Sequence, residues 1–169
     1  LRSEPRIYDK RMKNIKKILL PIDGSIPSMK AARYGISLAI KFRSDLVGLT
    51  VIDLMSLPYG YFLIQPGTRS QVDVLEEKRR ESKKWLVEVE RSMLDVLKEM
   101  EDTRGKFRSE ILEDPFSKVE NAIIKYAENE NVDLIVMGSK GRSGIKRTVL
   151  GSVASAVLSY ARCPVLIVR

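Results

Sequence analysis

The sequence predicts a single α/β domain, a doubly wound, five-stranded parallel sheet with helices on both faces. Three observations carry this. Short apolar runs recur along the chain at ILLPI, LVGLTVI, DLIVM and PVLIV, each of the length expected for a strand buried on both faces. Between them lie stretches whose apolar residues repeat every three or four positions, the stripe of a helix packed on one side. A chain of 169 residues also suits one core better than two.

The elements follow in order. Residues 1–14, LRSEPRIYDKRMKN, show no periodicity and read as a charged tail, with Met12 as an alternative start of the chain; residues 15–169 form the domain. IKKILLPID is the first strand, ended by Gly24 and Ser25. From Ser28 to Phe42, Met29, Ala32, Ile36, Ala39 and Ile40 mark a helix, with its N-cap between Ser25 and Ser28. LVGLTVID is the second strand. Residues 54–73 carry two prolines and two glycines among large apolar side chains, which suggests a flap beside a site or a surface for a partner.

A long charged helix is expected from about Val74 to Glu101, with Leu86, Val89, Met93, Leu97 and Met100 on its buried stripe and EEKRRESKK as a solvated face. FRSEIL alternates and makes a third strand near a sheet edge. Ser117 and Glu120 have capping-box spacing ahead of the helix VENAIIKYAEN. DLIVM, SVASAVLSYA and PVLIVR complete the pattern as strand, helix and strand.

Composition removes several functions. The hydrophobic share is 44% and the charged share 31%, which fits neither a disordered chain nor a membrane span. The start of the chain has no secretory apolar region, so a cytoplasmic protein is expected. There is no His, which removes the commonest general base and the Ser-His and Cys-His nucleophile systems. The lone Cys163 reads as a buried structural thiol. A net charge of +8 raises the question of nucleic acid, but the basic residues do not interleave with aromatics as a stacking platform requires.

The chemistry concentrates at residues 138–152, GSKGRSGIKRTVLGS, which hold four glycines, four basic residues and no acid. This bend leaves the carboxyl end of the fourth strand, where doubly wound sheets collect ligands. Glycines there permit positive φ or close backbone approach, and bare N–H groups can form an anion nest. Gly151, Ser152 and Val153 fall at the start of the last helix, whose N–H groups and dipole favour phosphate. Lys140, Arg142, Lys146 and Arg147 add positive charge. An ordinary glycine turn with solvated charges is the competing reading. GxxxxGK[ST] and GxGxxG are both absent, which disfavours a Walker NTPase and a dinucleotide dehydrogenase.

The spacing Gly138, two residues, Gly141, nine residues, Gly151–Ser152 resembles the G-x2-G-x9-G-[ST] signature of the ATP-binding branch of the universal stress protein family. KKILLPIDGS, LTVID and CPVLIVR resemble its first, second and last strands, so the resemblance spans residues 15 to 169. It implies strand order 3-2-1-4-5. It also implies a nucleotide site in which Pro21 and Asp23 line the adenosine end, with the Asp23 carboxylate near the ribose. The backbone of Val51 would hold adenine and Met137 would lie against the nucleoside. Gly138 and Gly141 would approach ribose and α-phosphate, with Arg142 beside the phosphates, while Gly151, Ser152 and Val153 would take the β- and γ-phosphates. Any Mg²⁺ would be held mainly by the phosphates. Glu113 departs from the family, which often has a small Gly there.

The expectation is therefore an ATP-binding switch in a stress response. It would not be an enzyme beyond slow ATP hydrolysis, and it would dimerise through its last strand. The alternative is a protein-interaction module of the same fold that binds no nucleotide. An adenylating enzyme is disfavoured because PIDGSIPS stands where an SGGxDS-like loop would be.

Overall fold

In a computed structural model of the chain, five parallel strands form one sheet in the order β3-β2-β1-β4-β5. The structure describes residues 15–53, 71–99, 106–114, 117–142 and 150–169. The charged tail, most of the 54–73 loop, and Lys146 and Arg147 lie outside the described residues.

The central strands explain the apolar runs. In β1 (Lys17–Pro21), Ile18, Leu19 and Leu20 are fully buried, because helices cover both faces and leave no side of the strand for polar residues. β1 pairs with β2 (Asp45–Ile52) and with β4 (Leu134–Gly138). At the edges, β3 (Phe107–Glu113) pairs with β2, and β5 (Val165–Val168) with β4. The alternating, half-polar β3 occupies an edge, as its pattern predicts.

α1 (Ile26–Phe42) starts two residues before the expected Ser28, because Ser25 caps it and Pro27 suits the first turn. It ends at Arg43, whose left-handed backbone (φ 58°) turns its N–H back to the carbonyls of Ala39 and Ile40. α2 (Gln71–Glu99) likewise begins earlier than Val74. Its buried stripe is Ser82, Leu86, Val89, Met93 and Leu97; Met100 lies outside the described residues.

α3 (Val119–Asn129) corrects one expectation. Its N-cap is Lys118, and no side chain caps it. Ser117 stands one residue too early to close a capping box with Glu120. α4 (Ser152–Tyr160) follows the bend.

Two apolar layers sandwich the sheet. Ile18, Leu20, Ile36, Leu86, Met93 and Val136 belong to the layer under α1 and α2. Leu19, Leu49, Ile123, Met137 and Val157 belong to the layer under α3 and α4. Cys163 is only partly buried, packed at the margin of the second layer; burial pushes its thiol pKa up. The chain leaves β1 toward one layer through α1, and leaves β4 toward the other through α4. This divergence between neighbouring strands is the switch point at which open sheets form ligand crevices.

No helix among the described residues is long and apolar enough to cross a membrane.

Candidate functional site

A cleft opens at this switch point, between the carboxyl ends of β1, β2 and β4 and the first turn of α4. Nine of the ten residues expected in the site line it: Pro21, Asp23, Val51, Met137, Gly138, Gly141, Gly151, Ser152 and Val153. Its apolar wall adds Leu49 from β2 and Val119 and Ile123 from α3. The opposite end is backbone and small polar groups, with Lys140 at its border. Such a site has one side suited to a flat apolar ring and the other to an anion.

Asp23 organises the β1 side. Its Oδ1 accepts the Ser25 N–H at 3.0 Å and the Ser25 hydroxyl at 2.6 Å, an Asx turn that ends the strand. Ser25 also caps α1 by accepting the Ser28 N–H at 3.3 Å. Its hydroxyl lies 3.4 Å from the Lys140 carbonyl of the bend. The other carboxylate oxygen, Oδ2, accepts the Arg142 N–H at 3.2 Å. One carboxylate therefore serves the turn after β1 and the bend after β4 together.

The glycines have a more specific cause than conformational freedom. Neither Gly138 nor Gly141 has positive φ. A Cβ on Gly138 would lie 2.6 Å from the Pro27 carbonyl carbon and 2.8 Å from the Ser28 nitrogen, so β4 meets the start of α1 backbone to backbone. A Cβ on Gly141 would lie 2.8 Å from Asp23 Oδ2. At Gly151 it would stand 3.3 Å from both Lys140 Cα and the Ser139 carbonyl oxygen. All three bring the walls of the cleft together.

The bend is pinned at two further points. The Ser139 N–H donates to the Val168 carbonyl and the Gly151 N–H to the Ser139 carbonyl, both at 2.8 Å. Gly151 is the N-cap of α4 and offers no side chain, and the first turn contains no acid. The next intrahelical donor is Ser155, to the Gly151 carbonyl. The N–H groups of Ser152, Val153 and Ala154 thus have no acceptor among the described residues, and all three residues line the cleft. Unpaired donors at the positive end of a helix dipole form an anion site.

Arg142 departs from the expected arrangement. Its backbone joins Asp23, but its guanidinium lies over Trp85 of α2, 5.3 Å from the ring centroid. It also reaches Glu81 at 3.7 Å. It borders a second, adjoining cavity with Asp23, Thr50, Asp53, Lys78 and Ser82. The buried Thr50 hydroxyl, which borders this cavity, has no hydrogen-bond partner among the described residues. Nearby, Arg79 clamps Glu113 at the end of β3 through two hydrogen bonds, 2.5 and 2.7 Å, and holds its carboxyl below the usual glutamate range. The charged first half of α2 is therefore more than a solvated face.

Sequence reasoning placed Ser25 as a strand end and helix cap but not beside the bend, and it missed Trp85, Glu81 and the α3 wall. The i, i+4 spacing of Glu81 and Trp85 was legible, but nothing local says which surface that face meets. Val119 and Ile123 carried the ordinary pattern of a helix packed on a core. Among the described residues, no group of three or more His, Cys, Asp or Glu side chains gathers in a way that could hold a metal.

The family model described as "Universal stress protein family" matches residues 14–169. Universal stress protein MJ0531 of Methanocaldococcus jannaschii is 34% identical over 154 residues, which cover 91% of this chain and 82% of that protein. Among solved structures, universal stress protein UspA from Lactobacillus plantarum superposes with TM-score 0.72 at 20% identity, covering 93% of this chain and 99% of that one. A universal stress protein from Archaeoglobus fulgidus, solved in complex with dAMP, superposes with TM-score 0.60 at 16% identity, covering 93% and 100%.

Proposed function

Because the chain belongs to the universal stress protein family, we propose that it binds an adenine nucleotide, with ATP as the physiological ligand, in the cleft between β1, β4 and α4. The observation that carries this reading is the acid-free first turn of α4, whose leading N–H groups are unpaired among the described residues and which borders the same cleft as the glycine bend. The dAMP bound by the Archaeoglobus fulgidus relative supports the ligand class.

Each residue then has a physical task. Val51, Met137, Val119 and Ile123 give the adenosine end its apolar walls, and Asp23 presents carboxylate oxygen to the ribose hydroxyls. The N–H groups of Ser152, Val153 and Ala154 receive the outer phosphates, with the Ser152 hydroxyl beside them. Mg²⁺ would be carried in on the phosphates and would screen their charge.

Binding, rather than turnover, is the proposed activity. The chain has no His, and Asp23, the one carboxylate among the described residues lining the cleft, already accepts three hydrogen bonds, so hydrolysis would be slow. A protein whose partner affinity differs between nucleotide states needs no chemistry to act as a switch. We assign it that role in a cytoplasmic stress response.

A homodimer belongs to the same proposal. β5 is an edge strand with Leu166 partly exposed, and Leu158 and Tyr160 of α4 are exposed close by in sequence. Antiparallel pairing of two β5 edges would cover unpaired backbone groups and this apolar surface together. Sedimentation at micromolar concentration should give twice the chain mass; a monomer would remove this part.

The reading as a whole is tested by mass spectrometry of small molecules released when the purified protein is denatured. An adenine nucleotide is expected. Its absence, together with no heat on titration with ATP or AMP, would leave the interaction module as the better account.

A further inference from the structure

The bend assigned here to the phosphate end is rich in glycine, yet preorganised binding needs it held still. Its backbone is pinned at Asp23, Ser139 and Gly151, as described above. The Arg142 side chain leaves the cleft and goes to α2. There the guanidinium lies 5.3 Å from the Trp85 ring centroid and 3.7 Å from the Glu81 carboxylate. Trp85 is the only Trp in the chain.

The same indole also meets the other wall of the cleft. Gly24, next to Asp23, has φ +76°, and a Cβ there would stand 2.2 Å from Trp85 Cε2. Trp85 therefore packs directly on the backbone of the turn after β1 while carrying the side chain of the bend after β4. Its base is firm, because the neighbouring Leu86 and Val89 are buried in the core. Glu81 lies one helical turn away on the same face.

We propose that Trp85, assisted by Glu81, is a positioning residue for the nucleotide site: it holds the glycine bend in its binding geometry through Arg142 and the turn through Gly24. This rests on the reading of the cleft as a nucleotide site. In this account the Arg142 guanidinium stays on α2 and acts on affinity through the bend, without touching phosphate. It also makes α2 sensitive to what the cleft holds.

The test combines two readouts on the full chain. In the nucleotide-free protein, hydrogen exchange of the bend amides at 139–142 should speed up in Trp85→Leu and stay near wild type in Trp85→Phe, which keeps an aromatic face. In calorimetry with Mg-ATP, Trp85→Leu should weaken binding by roughly three- to fivefold, the range set by loss of an exposed cation–π contact. Because Trp85 acts in part through Arg142, Trp85→Leu combined with Arg142→Met should lose less affinity than the two single losses added together. A merely structural Trp would lower the melting temperature and give additive affinity losses.

Unchanged exchange at 139–142, or additive losses, would overturn the proposal. If Trp85→Leu does not fold, Glu81→Gln takes its place in the same cycle, with Trp85→Phe as the aromatic control. If the wild type binds no adenine nucleotide, the functional reading fails by itself, and the exchange experiment alone still decides whether Trp85 holds the bend.

Discussion

Asp23 Oδ2 accepts the backbone N–H of Arg142 at 3.2 Å, across 119 residues of sequence. Its other oxygen closes the turn that begins α1. Replacing Asp23 with Ala removes the acceptor from three donors at once. Losing a partly exposed hydrogen bond of this kind costs about 0.5–1.5 kcal/mol, so Asp23→Ala should lower unfolding stability by about that order as well as weaken ligand binding. Urea denaturation checks the first effect; an unchanged midpoint would show that these bonds are replaced by water at no cost.

Gly138 makes a stability prediction independent of any ligand. An alanine Cβ would lie 2.6 Å from the Pro27 carbonyl carbon, and both partners are backbone, so neither can swing aside. Overpacking of this kind costs about 1–3 kcal/mol. Gly138→Ala should therefore melt earlier than wild type, with the shift present in nucleotide-free protein. An unchanged melting temperature would mean that β4 and α1 can separate freely.

Thr50 carries the opposite sign. Its hydroxyl is buried and has no hydrogen-bond partner among the described residues. Thr50→Val keeps the shape and removes the stranded polar atom, so stability should rise or stay level, by up to about 1 kcal/mol. A clear loss in thermal unfolding would show that the hydroxyl is hydrogen-bonded in solution.

Acid should weaken the fold through paired glutamates. Arg79 holds the Glu113 carboxyl below its ordinary value of 4.5, and Arg108 with Lys17 does the same for Glu130. A carboxylate with a depressed folded pKa stabilises above its unfolded pKa and loses that contribution as pH falls through the folded value. Stability should thus decline from about pH 4.5 downward, and Glu113→Gln with Glu130→Gln should flatten that decline. An identical acid profile in the double variant would show that other carboxylates set it.

Much of this architecture was readable from the chain. ILLP and LIVM are apolar throughout because β1 and β4 are covered on both faces, and FRSEIL alternates because β3 lies at an edge. The glycine spacing pointed to the cleft, since Gly138 stands where β4 meets α1 backbone to backbone, Gly141 where the bend meets the Asp23 carboxylate, and Gly151 where the start of α4 meets the bend. The Arg142 side chain was harder. Sequence gives its charge and its loop, but its direction depends on Trp85, 57 positions earlier, and on a helix whose polar face looks like any solvated surface. Ser117 failed for a smaller reason, since a one-residue offset in a helix start changes which hydroxyl can cap it.

The most direct test of the central claim is calorimetric titration of wild type and Gly151→Asp with Mg-ATP. An aspartate there would press against Lys140 Cα and the Ser139 carbonyl, each 3.3 Å from its Cβ, and would set a negative charge at the N-terminus of α4. If the phosphates bind that helix turn, wild type should bind ATP and Gly151→Asp should lose at least about tenfold in affinity while remaining folded by circular dichroism. Equal ATP affinity in the two proteins would contradict the assignment.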